Sequence, residues 1–171
     1  MPRIGYAPGA FDLFHIGHLN ILRESKNRCD FLIAGVVADD VLIAHKGIRP
    51  VVPLAERLEI VRNIRCVDSA VAATTNDKLQ IWRELRFDIL FKGDDWRGTE
   101  KGNRLERDLA SVGVEVVYFP YTKATSSSAL RRTLQNIDAL AAAVAASVSD
   151  GALPKFIPNG RRMPERAPLA A

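Results

Sequence analysis

The sequence predicts an α/β protein built on one parallel five-stranded sheet. Short apolar runs alternate along the chain with longer amphipathic stretches, which is the pattern of repeated βαβ units. Residues 31–37 contain no polar side chain, as expected of a parallel strand that is covered on both faces. Unusual polar clusters come directly after the apolar runs. We therefore predict a parallel sheet with helices on both faces, and we take 3-2-1-4-5 as its strand order.

Each element has its own signal. The strands are predicted at 4–7, 31–38, 70–73, 89–92 and 114–119, where the chain is most apolar. Helices are predicted at about 16–27, 53–65, 77–86, 99–111 and 126–134. Pro53 suits the first turn of the second helix, and Asn76 or Asp77 is a candidate cap for the third.

The C-terminal part of the chain has a different character. Apolar residues at helical spacing predict a further helix over 136–149: Ile137, Leu140, Ala141, Val144, Ala145 and Val148. This stripe would pack either on its own domain or on a second subunit. From Gly151 onward four prolines occur without periodicity, which indicates an extended tail. The predicted organisation is a domain over 1–135, a helix over 136–149 and a tail over 150–171.

Composition narrows the class of protein. A chain of 171 residues is long enough for one domain with a sizeable core. No apolar run approaches the roughly 20 residues of a membrane span, and the N-terminus does not resemble a signal peptide. Cys29 and Cys66 lie far apart and form no metal-binding pair. We expect a reduced, cytoplasmic protein without a membrane span.

The positive charge is concentrated in the tail. The whole chain carries a net charge of +4, and residues 151–171 hold four basic side chains against the single acid Glu165. The first 150 residues are therefore nearly neutral. Nucleic-acid binding needs a basic surface on the folded body, so we expect no nucleic-acid partner.

The polar clusters are expected to meet at one edge of the sheet. They follow the first, second, fourth and fifth predicted strands, at residues 9–18, 39–46, 93–96 and 121–128. In an open parallel sheet, ligands bind beyond the carboxyl ends of the strands, where the strand order reverses. Strands one and four are neighbours at that point. The loop at 9–18 and the Gly-Asp-Asp-Trp loop at 93–96 should face each other across one crevice.

Two histidines mark the first loop. His15 and His18 lie where a strand becomes a helix, and imidazole can donate to phosphate oxygens at a helix N-terminus. Gly17 would permit close approach of the backbone, and Gly9 suits a tight turn. A histidine taken alone is more often structural. A zinc site is disfavoured because no third ligand is evident nearby.

A serine run opens the last helix of the domain. Ser126, Ser127 and Ser128 precede a helical stretch, and serine is a favoured N-cap. Three consecutive hydroxyls exceed what a cap requires. They could instead form a second cradle for phosphate, together with free backbone N–H groups.

These motifs together resemble those of cytidylyltransferase-like nucleotidyltransferases, above all glycerol-3-phosphate cytidylyltransferases. The resemblance covers residues 3–134, and its motifs occur in the family's order. It rests on residues 9–18 with the His-x-Gly-His string, Asp39-Asp40, Lys46, Glu56-Arg57, residues 64–68, Gly93 to Trp96 and Thr122 to Ser128.

The resemblance implies a Rossmann-like fold, a homodimer, and transfer of a nucleotidyl group to a phosphorylated acceptor with release of pyrophosphate. His15 and His18 would hold the triphosphate and stabilise the transition state, and Lys46 would bridge acceptor and nucleotide. The implied nucleotide-binding residues are Gly9, Ala10, Phe11, Asp12, Arg65, Asp68, Gly93, Asp94, Thr122, Ser126, Ser127 and Ser128. Arg65 and Asp68 would also lie near the subunit contact.

Mg²⁺ is the expected cofactor, as a shield for the triphosphate that keeps several waters. Asp12 or Asp94 would orient the ion, although each could equally form a turn or a cap. No residue is predicted to be a dedicated metal ligand.

Several positions depart from the family pattern. Ala10 stands where threonine is common, Tyr121 replaces an arginine that helps to bind phosphate, and Ala124 replaces a glycine. Lys123 is a candidate substitute for the missing cation. These changes leave the base and the acceptor open.

Three hypotheses about function follow. The favoured one is transfer of CMP from CTP to a small phosphorylated acceptor such as glycerol 3-phosphate. The second is an adenylyltransferase that uses ATP with a sugar phosphate, FMN or another phosphorylated acceptor. The third is a nucleotide-binding protein that has lost catalysis. The His-Ile-Gly-His string also occurs in class I aminoacyl-tRNA synthetases, but this chain has no room for an anticodon-binding region.

Overall fold

The computed structural model describes residues 1–120, 122 and 125–149, with only the backbone described at 144 and 146–149. Its strands are β1 (Ile4–Gly9), β2 (Phe31–Val37), β3 (Ser69–Ala73), β4 (Ile89–Gly93) and β5 (Glu115–Phe119). Its α-helices are α1 (Ile16–Lys26), α2 (Asp39–Lys46), α3 (Leu54–Arg62), α4 (Lys78–Leu85), α5 (Glu100–Ala110) and α6 (Ser127–Ser149). A short 3₁₀ helix, Asp94–Trp96, follows β4.

All five strands are parallel and lie in the order β3-β2-β1-β4-β5, which confirms the predicted α/β sheet. The strands β1 and β2 pair along six residues, from Ile4 opposite Phe31 to Gly9 opposite Val36. By contrast, β1 and β4 pair only at Gly5–Ile89 and Tyr6–Leu90. The two central strands therefore separate towards their carboxyl ends, and a crevice opens where the strand order reverses.

Apolar clusters cover both faces of the sheet. One contains Leu22 of α1, Val61 of α3 and Phe91 of β4, and the other contains Tyr6 of β1 and Leu109 of α5. This two-sided burial explains why residues 31–37 lack polar side chains.

A glycine in β2 makes room for the second cluster. The ring of Tyr6 stacks on Phe87 with centroids 5.0 Å apart. A Cβ at Gly35 would lie 2.1 Å from the Tyr6 hydroxyl oxygen. A glycine is therefore required at position 35 for Tyr6 to lie flat across β2.

One helix was missed by the sequence prediction. Residues 39–46 form α2, whereas the sequence indicated only a polar cluster there. Asp39 and Asp40 occupy the first turn, where a carboxylate is favoured by the helix dipole, and Gly47 ends the helix with φ of 63°. With only eight residues, this helix shows too little periodicity to be recognised.

The two helices predicted at 126–134 and 136–149 form one continuous helix, α6. Neither Gln135 nor Asn136 breaks a helix, so the helix continues through the change in composition. Contacts divide the chain into two units, Met1–Thr133 and Leu134–Ala171.

In the second unit, the Ile137 and Leu140 side chains are 57% and 66% exposed. The Val144 and Val148 side chains of the predicted stripe, and the predicted tail over 150–171, lie outside the described residues. Of the helices that the structure describes, none combines the length and the apolar character needed to cross a bilayer.

Candidate active site

A cavity of about 970 Å³ lies beyond the carboxyl ends of the central strands. Its walls come from the loops after β1, β4 and β5, from α1 and from the start of α6. Ten residues predicted to act in the site line it: Ala10, Asp12, His15, His18, Lys46, Gly93, Thr122, Ser126, Ser127 and Ser128. The histidine loop and the loop at 93–96 thus border one crevice, as the strand order predicted.

His15 is the N-cap of α1. Its backbone is extended, with φ of −142°, and its Nδ1 accepts a hydrogen bond of 3.0 Å from the Gly17 amide. Burial lowers the pKa of His15 below its ordinary value, so the ring is neutral near pH 7. Because Nδ1 is an acceptor, the proton of the neutral ring lies on Nε2, which makes Nε2 a donor.

His18 stacks on His15, with ring centroids 4.0 Å apart. Burial, followed by the neighbouring His15, lowers the pKa of His18 to about 4, and the more weakly acting Asp12 carboxylate opposes this shift. The Phe11 and Phe14 rings contact His18 with centroids at 5.4 and 5.5 Å. The His18 Nδ1 is buried without a hydrogen-bond partner within the described part of the chain. Two neutral imidazoles therefore stand side by side in the cavity.

The turn that carries the histidines differs from the expected one. Gly9 belongs to β1 and does not make the turn, while Phe11 and Leu13 adopt the left-handed conformation with φ of 51° and 49°. A Cβ at Gly9 would lie only 3.0–3.3 Å from the Phe11 ring. Gly9 thus makes room for Phe11, which supports His18. Gly17 acts similarly, because a Cβ there would lie 2.8 Å from the His15 ring.

Asp12 is almost fully buried, and its hydrogen bonds join three segments of the chain. Its carboxylate accepts from the amides of Val51 and Val52 at 2.9–3.1 Å and from Arg131 Nη2 at 2.6 Å. Burial would raise the pKa of Asp12, but these donors outweigh it and hold the pKa below its usual value. Asp12 lines the cavity, yet both of its carboxylate oxygens already accept hydrogen bonds within the protein.

Arg57 is the main residue of this region for which the sequence predicted no role. Its guanidinium is fully buried and donates to the carbonyls of Ala10, Val37 and Val52, as well as to the Asp39 carboxylate. It therefore ties the loop after β1 to the end of β2 and to the loop before α3. The Glu56-Arg57 pair was part of the resemblance, but only the fold shows which chain segments Arg57 joins.

In the serine run, the hydroxyls of Ser126 and Ser127 form hydrogen bonds within the protein at the edge of the cavity. The Ser126 Oγ accepts from the Ala129 amide at 3.2 Å, so Ser126 caps α6. The Ser127 Oγ donates to the Asp12 carbonyl at 2.8 Å. Arg131, one turn further along, brings a guanidinium to the cavity wall. The N-terminus of α6 thus faces the histidines with a cation beside it, and Tyr121, Lys123 and Ala124 lie outside the described residues.

Some of the other predicted site residues border the cavity, and some do not. Lys46, in the last turn of α2, is exposed and lines the cavity. Gly93 at the end of β4 and Asp95 in the 3₁₀ helix that follows border the cavity, whereas Asp94 does not.

Arg65 and Asp68 do not line the cavity. Arg65 is exposed, and Asp68 accepts from the Leu32 amide at 2.6 Å and from Lys26 Nζ at 2.7 Å. Burial would raise the pKa of Asp68, but these two donors hold it below its usual value. The nucleotide contact implied for Arg65 and Asp68 stays a prediction.

No group of three or more His, Cys, Asp or Glu side chains that could hold a metal ion occurs among the described residues. A Mg²⁺ ion in this cavity would thus have to take its ligands largely from a bound triphosphate and water. The two cysteines, Cys29 and Cys66, are free thiols.

Residues 6–163 match the model of a protein family described as cytidylyltransferase-like. The ethanolamine-phosphate cytidylyltransferase of Arabidopsis thaliana is 39% identical over 95 residues, which are 53% of this chain and 22% of that protein. The chain therefore spans less than a quarter of that relative's length.

Two further proteins match along most of their own length. The FAD synthase of Pyrococcus abyssi is 34% identical over 116 residues, 66% of this chain and 77% of that protein. A lipopolysaccharide core biosynthesis protein from Thermoplasma volcanium has a similar solved structure, with a TM-score of 0.62 and 26% identity. That match covers 73% of this chain and 100% of the other.

Proposed function

The chain belongs to the cytidylyltransferase-like family of nucleotidyltransferases, and from this premise we propose that it transfers CMP from CTP to a small phosphorylated acceptor such as glycerol 3-phosphate. The observation that supports the proposal best is the pair of neutral, stacked imidazoles in a cavity that Lys46, Arg131 and the N-terminus of α6 also line. Every one of these groups is a donor to anionic oxygen.

The reaction needs no general base. The acceptor phosphate is already an anion, and one of its oxygens attacks the α-phosphorus of the triphosphate. The bond from the α-phosphorus to the bridging oxygen breaks, and the electron pair leaves with pyrophosphate. Catalysis then depends on in-line positioning and on donors directed at the growing negative charge.

The two imidazoles suit that task because they are neutral before the nucleotide binds. A neutral ring brings a hydrogen-bond donor without the desolvation cost of a buried charge. The Nε2–H of His15 has its direction set by the cap bond from Gly17. A triphosphate at this position would favour protonation of both rings and so would strengthen the hydrogen bonds as charge develops.

Lys46 and the serine helix complete the proposed arrangement from two sides. Lys46 ends α2, beside the part of the cavity that Ile48 and Pro50 border. We assign the acceptor phosphate to this side. The Ser126–Ser128 end of α6, with Arg131, is assigned to the β- and γ-phosphates of the nucleotide.

Mg²⁺, when bound, would shield the charge of the triphosphate and of the departing pyrophosphate. The Asp12 carboxylate already accepts hydrogen bonds from two amides and from Arg131. The ion would therefore take its oxygen ligands from the phosphates and from water.

The direct test is a pyrophosphate-release assay with Mg²⁺, glycerol 3-phosphate and each of the four nucleoside triphosphates in turn. We expect release with CTP to exceed release with the other three. An absence of release with CTP would overturn the cytidylyl assignment.

An adenylyltransferase is the second candidate function. It is favoured by the similarity to a protein named FAD synthase, a name that denotes an adenine dinucleotide product. The departures of Tyr121 and Ala124 from the cytidylyltransferase pattern point in the same direction. In the same assay, with FMN and a sugar phosphate as additional acceptors, a preference for ATP would select this function.

We also propose that the protein acts as a homodimer. Ile137 and Leu140 are more than half exposed in the isolated chain, and such side chains are suited to a subunit contact. Sedimentation equilibrium of the full chain tests this, since a monomer at tens of micromolar concentration would contradict it.

A further inference from the structure

The cavity beside the histidines continues as a groove along α1. Four residues from one face of that helix line it: Asn20, Ile21, Glu24 and Arg28. They span about 12 Å of the helix, at roughly 1.5 Å per residue. The facing wall is formed by the end of β5, an edge strand of the sheet, and by Pro120 after it. The proposed binding of the triphosphate and of the acceptor phosphate leaves this groove unused.

The nucleoside of a bound triphosphate fits the groove. In an in-line displacement, the acceptor and the departing pyrophosphate occupy opposite sides of the α-phosphorus, so the ribose leaves in a third direction. With the acceptor beside Lys46 and the phosphates at the start of α6, the groove is the remaining part of the described cavity lining. Ile21, Val117 and Pro120 supply apolar surface there, on which a base can pack.

Asn20 is the groove residue nearest to the histidines along α1, and Thr122 holds its side chain. Asn20 Nδ2 donates to Thr122 Oγ1 at 3.3 Å, and both residues are partly buried. Thr122 also lies beside Gly17, where a Cβ would come within 3.8 Å of the Thr122 Cβ. Because Nδ2 is bound to Thr122, this pair presents the Asn20 Oδ1 as an acceptor and the Thr122 hydroxyl as a donor.

Glu24, one turn further along α1, adds a second acceptor to the groove. Its side chain is exposed, and it forms no ion pair with Arg28 or with any other residue in the described part of the chain. A carboxylate without a paired cation attracts a hydrogen-bond donor and repels a carbonyl oxygen. An exocyclic amino group on a base is such a donor.

We propose that Asn20, held by Thr122, recognises the base and selects one with an exocyclic amino group beside an unprotonated ring nitrogen. The amino group of cytosine or adenine would donate to Asn20 Oδ1, and the adjacent ring nitrogen would accept from the Thr122 hydroxyl. Uracil and guanine carry the reverse pattern at these two positions. The inference rests on the proposed function for the position of the triphosphate, and it names the residue that excludes UTP and GTP.

Equilibrium binding without turnover tests the inference. The full chain with Mg²⁺ would be titrated calorimetrically with the α,β-methylene analogues of CTP, ATP, UTP and GTP, in which the reacting bond cannot break. We expect the tighter-binding of the CTP and ATP analogues to exceed both the UTP and the GTP analogue by at least about tenfold in affinity. A keto base would leave the buried polar groups of the pair unmatched, which lowers its affinity.

Variants of the pair locate the effect. Asn20→Ala and Thr122→Val should each reduce the tenfold preference to less than about threefold, because each removes one of the two hydrogen bonds. Both should bind inorganic tripolyphosphate as the wild type does, which a folding defect would prevent. Asn103→Ala is the matched control, since Asn103 is exposed on α5 and lines neither this cavity nor the neighbouring one.

The inference fails if the UTP or GTP analogue binds as tightly as the preferred amino base, or if Asn20→Ala and Thr122→Val behave like Asn103→Ala. It also fails if these variants lose tripolyphosphate binding to the same extent, because the pair would then act on the phosphates. If Asn20→Ala does not fold by circular dichroism, Thr122→Val still decides. Failure of the proposed function has a different signature: the preference for an amino base persists, but no triphosphate releases pyrophosphate with a phosphorylated acceptor.

Discussion

At the scale of single residues, the two histidines perform different tasks although they belong to one motif. His15 uses Nδ1 to cap α1 and keeps Nε2 as a donor. His18 lies against Phe11 and Phe14, and its burial together with the neighbouring His15 lowers its pKa to about 4. Catalysis and local stability can therefore be separated by substitution.

A pair of His15 variants makes that separation. Asn is a good N-cap and can replace the Nδ1 acceptor, but it lacks the Nε2 donor. We expect His15→Asn and His15→Ala to lower kcat alike, by about 100-fold or more. Only His15→Ala should also lose about 1 kcal/mol of unfolding free energy, through the lost cap. Steady-state kinetics and urea unfolding measure the two effects, and a fully active His15→Asn would refute the donor role.

The low pKa of His18 makes a prediction about stability and pH. The folded-state pKa, about 4, lies below the ordinary value of 6.5, so between these values the unfolded chain binds more protons. Stability from this group is complete above pH 6.5 and is lost as the pH falls towards 4, by on the order of 3 kcal/mol. Urea unfolding from pH 7 to pH 4.5 should show a shallower loss for His18→Gln than for the wild type. Equal slopes would contradict the burial of His18.

At the scale of elements, two buried charged residues hold the loops of the candidate site in place by hydrogen bonds. Arg57 of α3 binds the carbonyls at the ends of three segments, and Asp12 joins the histidine loop to residues 51–52 and to α6. The loop after β1 is also held by packing, since Phe11 is buried in the core cluster that Phe14 contacts. The charged hydrogen bonds that join the loops are shielded from water and are costly to break.

Arg57→Met tests the contribution of these hydrogen bonds. The substitution leaves the Asp39 carboxylate and three carbonyls without their donor, so we expect it to lower the unfolding free energy by about 3–5 kcal/mol. Arg62→Met is the matched control on the same helix, since Arg62 forms only an exposed pair with Glu59 and should cost less than about 1 kcal/mol. Urea unfolding measures both, and equal losses would show that the buried contacts contribute nothing.

At the scale of the whole molecule, the candidate active site consists of segments that only the folded chain brings together. The loop after β1, the end of α2 and the start of α6 contribute its groups. A ligand that bridges these segments binds the folded state alone, so its affinity should appear as increased thermal stability.

We therefore expect CTP with Mg²⁺ to raise Tm. At a CTP concentration 100 times Kd, the gain is about 2.7 kcal/mol, which corresponds to a Tm increase of several degrees in a chain of this size. GTP and UTP at equal concentrations serve as controls and should raise Tm less. Differential scanning calorimetry makes the measurement. A larger increase with ATP than with CTP would favour the adenylyl alternative.

Much of the fold was predictable because it depends on local pattern. The five strands and five of the six helical regions followed from apolar runs, spacing and turn residues, with boundaries at most three residues off apart from the end of the helix predicted at 126–134. The strand order 3-2-1-4-5 came with the predicted fold class, and the structure confirms it. The helix α2 was missed because its eight residues are mostly polar or exposed. The continuity of α6 was missed because composition changes near residue 135 while the helix propensity does not.

Only part of the candidate site was predictable from the sequence. The histidines and the serine run were singled out because their residue types are unusual at strand ends, and the predicted role of Lys46 came from the family resemblance. Arg131 also lines the cavity but was not predicted, because an arginine in isolation is the commonest kind of exposed residue. Arg57 was noticed within a motif, but its complete burial depends on three carbonyls that are distant in the chain.

The amino-acid sequence alone determined the α/β class and the presence of a histidine pair where a strand becomes a helix, because these depend on periodicity and on residue types that are close in the chain. Only the tertiary structure decided which charges are paired. Asp12 is neutralised by Arg131 and two amides, and the buried Arg57 guanidinium binds the Asp39 carboxylate and three carbonyls. The interaction of two charges depends on their distance in space and on their burial, and not on their separation along the chain.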